Sequence, residues 1–389
     1  MNTLPLSLLL LLAFVHFSCF LVLVPVSAKV FLSIDCGSSS LKSLTDDNSI
    51  EWVGDDPYVQ TGEAHTVNVA PNVAGTWDSR VMSTLRAFPT RKRNCYSIDI
   101  SSKDKDTTTA ERVLVRASFY YGNYDDKSNP PTFDLQFNGN HWTEIQTSMG
   151  DITHKEVVYS LNNGNNINVC LAQLYSGDIP FISALEIRSL DSGAYSNFGS
   201  DYPVHFIARD AFGATKAIRY PEDSFDRIWD SAVSRGALIT VRGNSPSIKA
   251  NVQDKPPEAV LRTAITPSIS PGYIRYSGGG SSVSQSHFNV YFSEVIKLDS
   301  TQRRPFDITV NDTLGNSIIS HENPVIPPYG SALEVNIFNV SHFFNSSFSI
   351  EFKQTTDSTL PPLLNAIEWY IIGEKLVRET NSNDGIFLS

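Results

Sequence analysis

Adjacent carboxylates occur at Asp46-Asp47, Asp55-Asp56 and Asp125-Asp126. Hydrolysis of a glycosidic bond needs two carboxyl groups about 5–10 Å apart across a sugar. Neighbouring aspartates in a loop more commonly form solvated turns, so none is assigned as catalytic. No G-x-S-x-G, H-E-x-x-H, C-x-x-C or phosphate-loop pattern is present, and the seven histidines after residue 28 are scattered. The expectation is a chain with no catalytic residues, no cofactor and no metal site.

Binding chemistry is better represented. Aromatic faces pack against sugar C–H groups while carboxylates and amides meet the hydroxyls, and Phe119–Asp126 (FYYGNYDD) concentrates these types. Phe119 and Tyr121 share an alternating apolar face. Tyr120, Tyr124 and Asp125 fall on the other face or in the following turn and are candidate sugar contacts; the competing reading is a packed tyrosine with one hydrogen bond. Trp142 follows Asn138-Gly139 and is the tryptophan expected at the surface, as a further candidate ligand contact. Trp52, Trp77, Trp229 and Trp369 are expected to pack. Arg91-Lys92-Arg93 stands out in a chain of formal charge −11, either as a solvated loop or as a local positive potential for an acidic partner.

These groups must be positioned by strands. In Arg112–Tyr121, Val113, Val115, Ala117, Phe119 and Tyr121 alternate with a mixed set, the period of two of a strand against a core. Asn138-Gly139 and Asn163-Gly164 separate strand-like runs and favour tight hairpin turns. Helical periodicity is confined to short stretches around Met82 and Val260, and Ser277–Ser286 (SGGGSSVSQS) reads as a flexible loop. Short alternating strands with turn residues indicate β-sandwiches.

The chain also repeats itself. PFISALEIRSL from Pro180 returns as PPLLNAIEWYII from Pro361, FDLQF from Phe133 returns as FDITV from Phe306, and Trp52 has a counterpart in Trp229. These offsets of 181, 173 and 177 residues are too long for a solenoid, whose units run to about 20–50 residues. They indicate two homologous domains in tandem, expected at 29–190 and 204–373. Residues 191–203 form a connection whose Tyr195, Phe198 and Tyr202 could pin the lobes together, and 374–389 form a tail.

Residues 1–28 read as a signal peptide, with an apolar Leu4–Val24 and small residues at Val26–Ala28. No later apolar run approaches the ~20 residues that span a bilayer. The acidic balance argues against a nucleic-acid partner. In an oxidising compartment the expected disulfide is Cys36–Cys95, near element edges, with Cys170 a buried mid-strand thiol. N-glycosylation sequons stand at Asn311, Asn339 and Asn345. All three follow the candidate contacts, which favours binding through the first lobe or the crease between lobes.

Several phrases together resemble the malectin-like ectodomain of plant receptor-like kinases, in the version that precedes leucine-rich repeats and includes the symbiosis receptor kinase group. They are FLSIDCG from Phe31, RAFPTRKRNCY from Arg86, VRASFYYGNYD from Val115, NVCLAQLYSGDIPFISALEIRSL from Asn168, RYPEDSFDRIWDS from Arg219, PPEAVLRTA from Pro256 and PPLLNAIEWY from Pro361. The resemblance implies an all-β chain of two malectin-like β-sandwiches at the outer face of a plant cell. It implies that cell-wall carbohydrate, a secreted peptide or a receptor-kinase co-receptor is the partner. The alternatives are a free secreted carbohydrate-binding wall protein and, from another class, a glycan hydrolase.

Overall fold

The computed structural model describes residues 30–39, 43–71, 79–100, 112–161, 166–232, 236–280, 284–311, 317–319, 323–342 and 346–376. The signal segment, Trp77, the Asn163-Gly164 turn, Asn345 and residues 377–389 of the tail lie outside them. The first half carries β1 (Phe31–Asp35), β2 (Leu44–Thr45), β3 (Glu51–Gly54), β4 (Glu63–Thr66), β5 (Thr84–Ala87), β6 (Arg93–Asp99), β7 (Arg112–Phe119), β8 (Thr132–Phe137), β9 (Asn140–Gln146), β10 (Thr153–Ser160), β11 (Asn166–Gln173), β12 (Phe181–Ile182) and β13 (Ala184–Leu190). The second carries β14 (Val204–Phe212), β15 (Asp230–Ala232), β16 (Leu238–Arg242), β17 (Thr263–Pro267), β18 (Tyr273–Gly280), β19 (Ser284–Phe292), β20 (Phe306–Asn311), β21 (Ser317–Ile319), β22 (Leu333–His342), β23 (Ser346–Gln354) and β24 (Ala366–Ile372). The stretch around Met82 forms only a 3-10 turn at Val81–Ser83, and that around Val260 one helical turn at Glu258–Leu261.

The duplication is visible strand by strand. In the first half β3-β1-β13-β7-β10 opposes β6-β11-β8-β9; in the second, β15-β14-β24-β19-β22 opposes β18-β23-β20-β21. Register repeats too. Glu186 of β13 lies opposite Arg116, and its counterpart Glu368 of β24 lies opposite Asn289. Ser183 Oγ accepts from the Tyr120 N–H at 3.1 Å, as Asn365 Oδ1 accepts from the Ser293 N–H at 2.8 Å. Trp52 donates to Asp46 at 3.0 Å and Trp229 to Asp223 at 2.8 Å. Each half fills its own apolar core, one around Val115, Phe133 and Ile187, the other around Val290, Phe306 and Ile367.

The two larger sheets are continuous. Glu156, Val157 and Val158 of β10 pair with Phe206, His205 and Val204 of β14, so one sheet of eleven strands runs through both halves. The expected connection is folded over this joint. Tyr195 is buried and Phe198 packs beside it against Leu114, Val158 and Tyr370, whereas Tyr202 is exposed. All eight residues of β7 are consequently buried. The face that sequence pattern leaves mixed holds Arg112 and Arg116 under the second half of the chain.

Under that cover lies an ionic cluster. Glu186 receives Arg116 at 3.0 Å, Arg188 at 2.7 Å and Arg219 at 2.7 Å. Asp226 receives Arg188 at 2.7 Å and Arg219 at 2.6 Å. Burial alone would raise the Glu186 carboxyl, but the three guanidiniums overcome it and hold it well below the ordinary carboxylate range. Glu368 is held likewise by Arg209 at 2.6 Å and by the hydroxyls of Tyr195 and Tyr291 at 2.7 and 2.6 Å. Glu156 joins the two centres, meeting Arg116 at 3.4 Å and Arg209 at 3.2 Å.

Three expectations are corrected here. The disulfide is Cys95–Cys170: the two residues are direct partners between β6 and β11. Cys36 is a fully buried thiol at the end of β1, in the opposite layer, its pKa pushed up by burial. Asn138-Gly139 does turn β8 into β9, with φ of 47° and 77°, but the strands flanking Asn163-Gly164 do not form a hairpin: β10 belongs to the large sheet and β11 to the small one. Ser277–Gly280 is not a loop but the end of β18, where a Cβ on Gly278 would come within 2.8 Å of the Phe348 and Trp369 rings.

Glu186→Gln leaves three guanidiniums short of a charge and is expected to cost about 3–5 kcal/mol in urea unfolding, while Lys375→Ala stays within about 0.5 kcal/mol. Non-reducing peptide mapping is expected to recover Cys95 joined to Cys170, with Cys36 alkylated only after unfolding.

Candidate functional site

One member of each carboxylate pair is engaged by local partners. Asp46 Oδ1 accepts the N–H groups of Asn48 and Ile50 at 2.8 and 2.9 Å, so it closes its own turn. Asp55 is fully buried and holds Arg86, the Gly37 N–H and the Tyr96 hydroxyl. Asp125 accepts the Tyr121 hydroxyl at 2.5 Å and meets Lys127 at 3.3 Å. Burial of Asp125 is outweighed by these two partners, which lower its pKa. Among the described residues no cluster of His, Cys, Asp and Glu is arranged to hold a metal ion.

Two of the expected sugar contacts are withdrawn from solvent. Tyr120 is 1 % exposed, and its hydroxyl accepts from the Ala70 N–H at 2.8 Å while donating to the Asn68 carbonyl at 3.3 Å. It sits with Trp52, Val81 and Met82 in a small cluster that also holds Ile50 and Ala184. Trp142 is also buried, 6.1 Å edge-on from Phe137. The hairpin turn is at the surface, but the register shift between Leu135–Thr143 and Gln136–His141 makes Trp142 the extra residue of β9, and it enters the sandwich with Phe137 and Ile145.

What remains at the surface gathers at one end of the first lobe. Tyr124 is half-buried, its ring 5.0 Å from His65 and 5.6 Å from Phe181, and its hydroxyl is covered and, among the described residues, has no hydrogen-bond partner. Burial, reinforced by Asp125, pushes that hydroxyl's pKa up. Phe181 pairs with Ala87 at the end of β5, and from there the chain enters the basic loop. Arg91 and Lys92 are exposed. Among the described residues neither side chain has an ion-pair partner. Arg93 differs: it opens β6, half-buried, with its guanidinium 3.5 Å from Cys170 Sγ. Three residues named from sequence as one cluster therefore divide into an exposed cationic pair and a structural arginine. His65 and Phe181, which border Tyr124, carry no local motif that would single them out.

The sequons lie in the second half. Asn311 ends β20, its amide 3.4 Å from Ser349 Oγ. Asn339 is exposed on β22 at φ 60°, where the register shifts.

The malectin-like domain family model matches residues 34–372. The chain is 34% identical over 345 residues to the uncharacterized Arabidopsis thaliana protein At1g24485, covering 88% of this chain and 64% of that one. It is 34% identical over 365 residues to the probable LRR receptor-like serine/threonine-protein kinase At1g05700 of the same organism, covering 91% of this chain and 40% of the kinase. It therefore spans less than two thirds of these relatives. The ectodomain of ANX2 from Arabidopsis thaliana superposes with a TM-score of 0.74 at 14% identity, covering 89% of this chain and 97% of that one. A chain from the structure of plant peptide RALF23 in complex with FER and LLG2 superposes with a TM-score of 0.68 at 14% identity, covering 88% of this chain and 95% of that one.

Tyr120→Phe leaves the Ala70 N–H unpaired and is expected to cost about 1–3 kcal/mol. Arg91→Glu with Lys92→Glu should leave the unfolding midpoint unchanged, which a parallel thermal melt checks.

Proposed function

The chain belongs to the malectin-like domain family, and from that premise we propose that it is the non-catalytic, extracellular recognition region of a plant receptor-like protein. Its partners are an acidic cell-wall polysaccharide, a secreted peptide or a co-receptor, with sugar or peptide read by surface loops while the sandwiches stay fixed. The reading draws support from receptor-like kinase relatives that match this chain over 91% of its length, and from the neighbouring structure in which plant peptide RALF23 is in complex with FER and LLG2. The committed carboxylate pairs disfavour the hydrolase alternative.

The observation that carries the choice of ligand is the Arg91-Lys92 pair, exposed and unpartnered among the described residues in a chain of formal charge −11. A cationic pair on an acidic surface makes a local positive potential that screens with salt. The Tyr124–Asp125 corner at the same end supplies an aromatic edge and a carboxylate. Glycans at Asn339, Asn345 and Asn311 would shield the second half and leave this end open.

The test is binding of the secreted chain to a linear polygalacturonate at two ionic strengths. Arg91→Glu with Lys92→Glu is expected to weaken binding by about tenfold, equivalent to about 1.4 kcal/mol, and to flatten the salt dependence. Equal affinity of variant and parent would refute the assignment of this loop. A transcript continuing past Ser389 into leucine-rich repeats favours the receptor over the free wall protein.

A further inference from the structure

Glu186, Glu368, Asp226 and Asp55 are buried, and each is met by a guanidinium. Asp254 is treated differently. It is fully buried and, among the described residues, has no ion-pair partner. Its loop follows β16 and runs beside the start of β22, where the Lys249 N–H bonds the Gly330 carbonyl and the Ala332 N–H bonds the Lys249 carbonyl. Asp254 Oδ1 accepts the Tyr195 N–H at 2.6 Å. The Tyr195 carbonyl accepts from Arg112 of β7 at 3.0 Å. One residue of the connection over the joint is thus gripped from both halves, by Arg112 from the first and by Asp254 from the second.

The groups facing Asp254 are acids, or cations already engaged elsewhere. On β22, Glu334 Oε2 accepts the Asp254 N–H at 3.0 Å, and its side chain bonds the Asp254 carboxyl as well. Glu334 Oε1 is buried and, among the described residues, has no hydrogen-bond partner. On β24 stand Glu368 and Tyr370, whose hydroxyl bonds Asn289 at 2.8 Å. On β19, Tyr291 bonds Glu368, and the Asn289 amide lies 2.5 Å from Asp254 Oδ2. Arg227, in the segment Arg219–Trp229, donates to the Asp254 and Lys255 carbonyls, the Tyr195 hydroxyl and Asp223. Arg112 is taken by the Tyr195 and Phe198 carbonyls, and Lys255 reaches Asp191 at 2.6 Å. Burial first, then Glu334 and Glu368, push the Asp254 carboxyl up to about 8 against the Tyr195 N–H and Arg227. Glu334 is raised too, again mainly by burial.

We propose that Asp254 and Glu334 form a proton-held clamp on the connection between the lobes. With one proton shared between them, Asp254 holds the Tyr195 N–H and the connection lies closed over the joint. When that proton leaves, two adjoining carboxylates repel and the connection loosens. The clamp is separate from the basic loop and does not rest on its ligand.

The direction with pH follows. Opening returns Asp254 to water, where an aspartate ionises near pH ~4. The closed form therefore keeps a proton that the open form lacks, and closure weakens as pH rises from about 4 to about 8. Two histidines work the other way. The His287 ring lies 4.8 Å from Phe198 of the connection, and His205 sits on β14 at the joint. Burial pushes both down to about 4, with His141 adding to the effect on His205, so they weaken closure as pH falls from 6.5 to about 4. Closure is strongest in a mildly acidic medium, and the loss above pH 6.5 belongs to the carboxyl pair.

Hydrogen exchange of the full chain tests this, read in peptides that contain Tyr195 and corrected for the intrinsic rate at each pH. Protection is expected to fall by about tenfold per pH unit between about pH 6.5 and 7.5, the slope of one proton lost on opening. In Asp254→Asn, whose amide oxygen can still accept the Tyr195 N–H, protection is expected to stay level over that range. Glu334→Gln removes the neighbouring charge that raises Asp254 and is expected to move the fall to lower pH. The proposal is overturned if the parent shows no fall, or if Asp254→Asn falls as the parent does. It is equally overturned if Asp254→Asn is unprotected throughout, because the charged carboxylate would then be what holds the connection. Should Asp254→Asn not fold, Glu334→Gln decides, and an unchanged midpoint overturns the proposal.

Discussion

A carboxylate buried in the middle of a sheet is the constraint around which this molecule is arranged. Glu186 and Glu368 are both 1 % exposed or less. Leaving either ionised without partners would cost several kcal/mol. The fold answers with arginines from β7, β13 and β14 and with the segment Arg219–Trp229, which brings Asp226 and Asp223 to balance the added positive charge. That segment and the connection around Tyr195 can lie flat on the sheet because the charges beneath them are neutralised in pairs. The position of the second half against the first follows from this neutralisation as much as from apolar contact.

Balance is not complete everywhere. Asp254, which holds the Tyr195 N–H at 2.6 Å and Asn289 at 2.5 Å, has its pKa raised by burial and further by Glu334 and Glu368. Glu368 itself is lowered because Arg209 and Arg227 outweigh its burial. Neighbouring carboxyls are thus driven in opposite directions by where the guanidiniums sit. The second half carries the more hydroxyl-rich centre, with Tyr195 and Tyr291 on one carboxylate, and the first half the more purely ionic one.

Much of the architecture was legible in the sequence. The repeated closing phrases became β13 and β24, in matching positions of one sheet, and the Asn-Gly dipeptide before Asn140 became a hairpin of the expected kind. The glutamate inside each phrase, Glu186 in ALEIRSL and Glu368 in AIEWYII, was not singled out, because nothing local to either phrase marks the arginines that meet it from other strands. What could not be read was which long-range partner each residue meets. Cys95 and Cys170 are 75 residues apart, and only the pairing of β6 with β11 brings them together. Tyr120 looked free because strand alternation places it away from the core. The second covering layer that buries it is a tertiary fact. Trp142 was misplaced for a simpler reason, since exposure of a turn says nothing about the side chain two or three residues on.

The backbone joint between the halves consists of three register pairs of β10 with β14, against eight between β10 and β7. Mechanical load drawn across the strands reaches those three pairs one after another, whereas load along the strands is shared among them at once. The cluster around Tyr195 and the Glu156–Arg209 ion pair cross the same joint, so side-chain contacts supplement the short ladder.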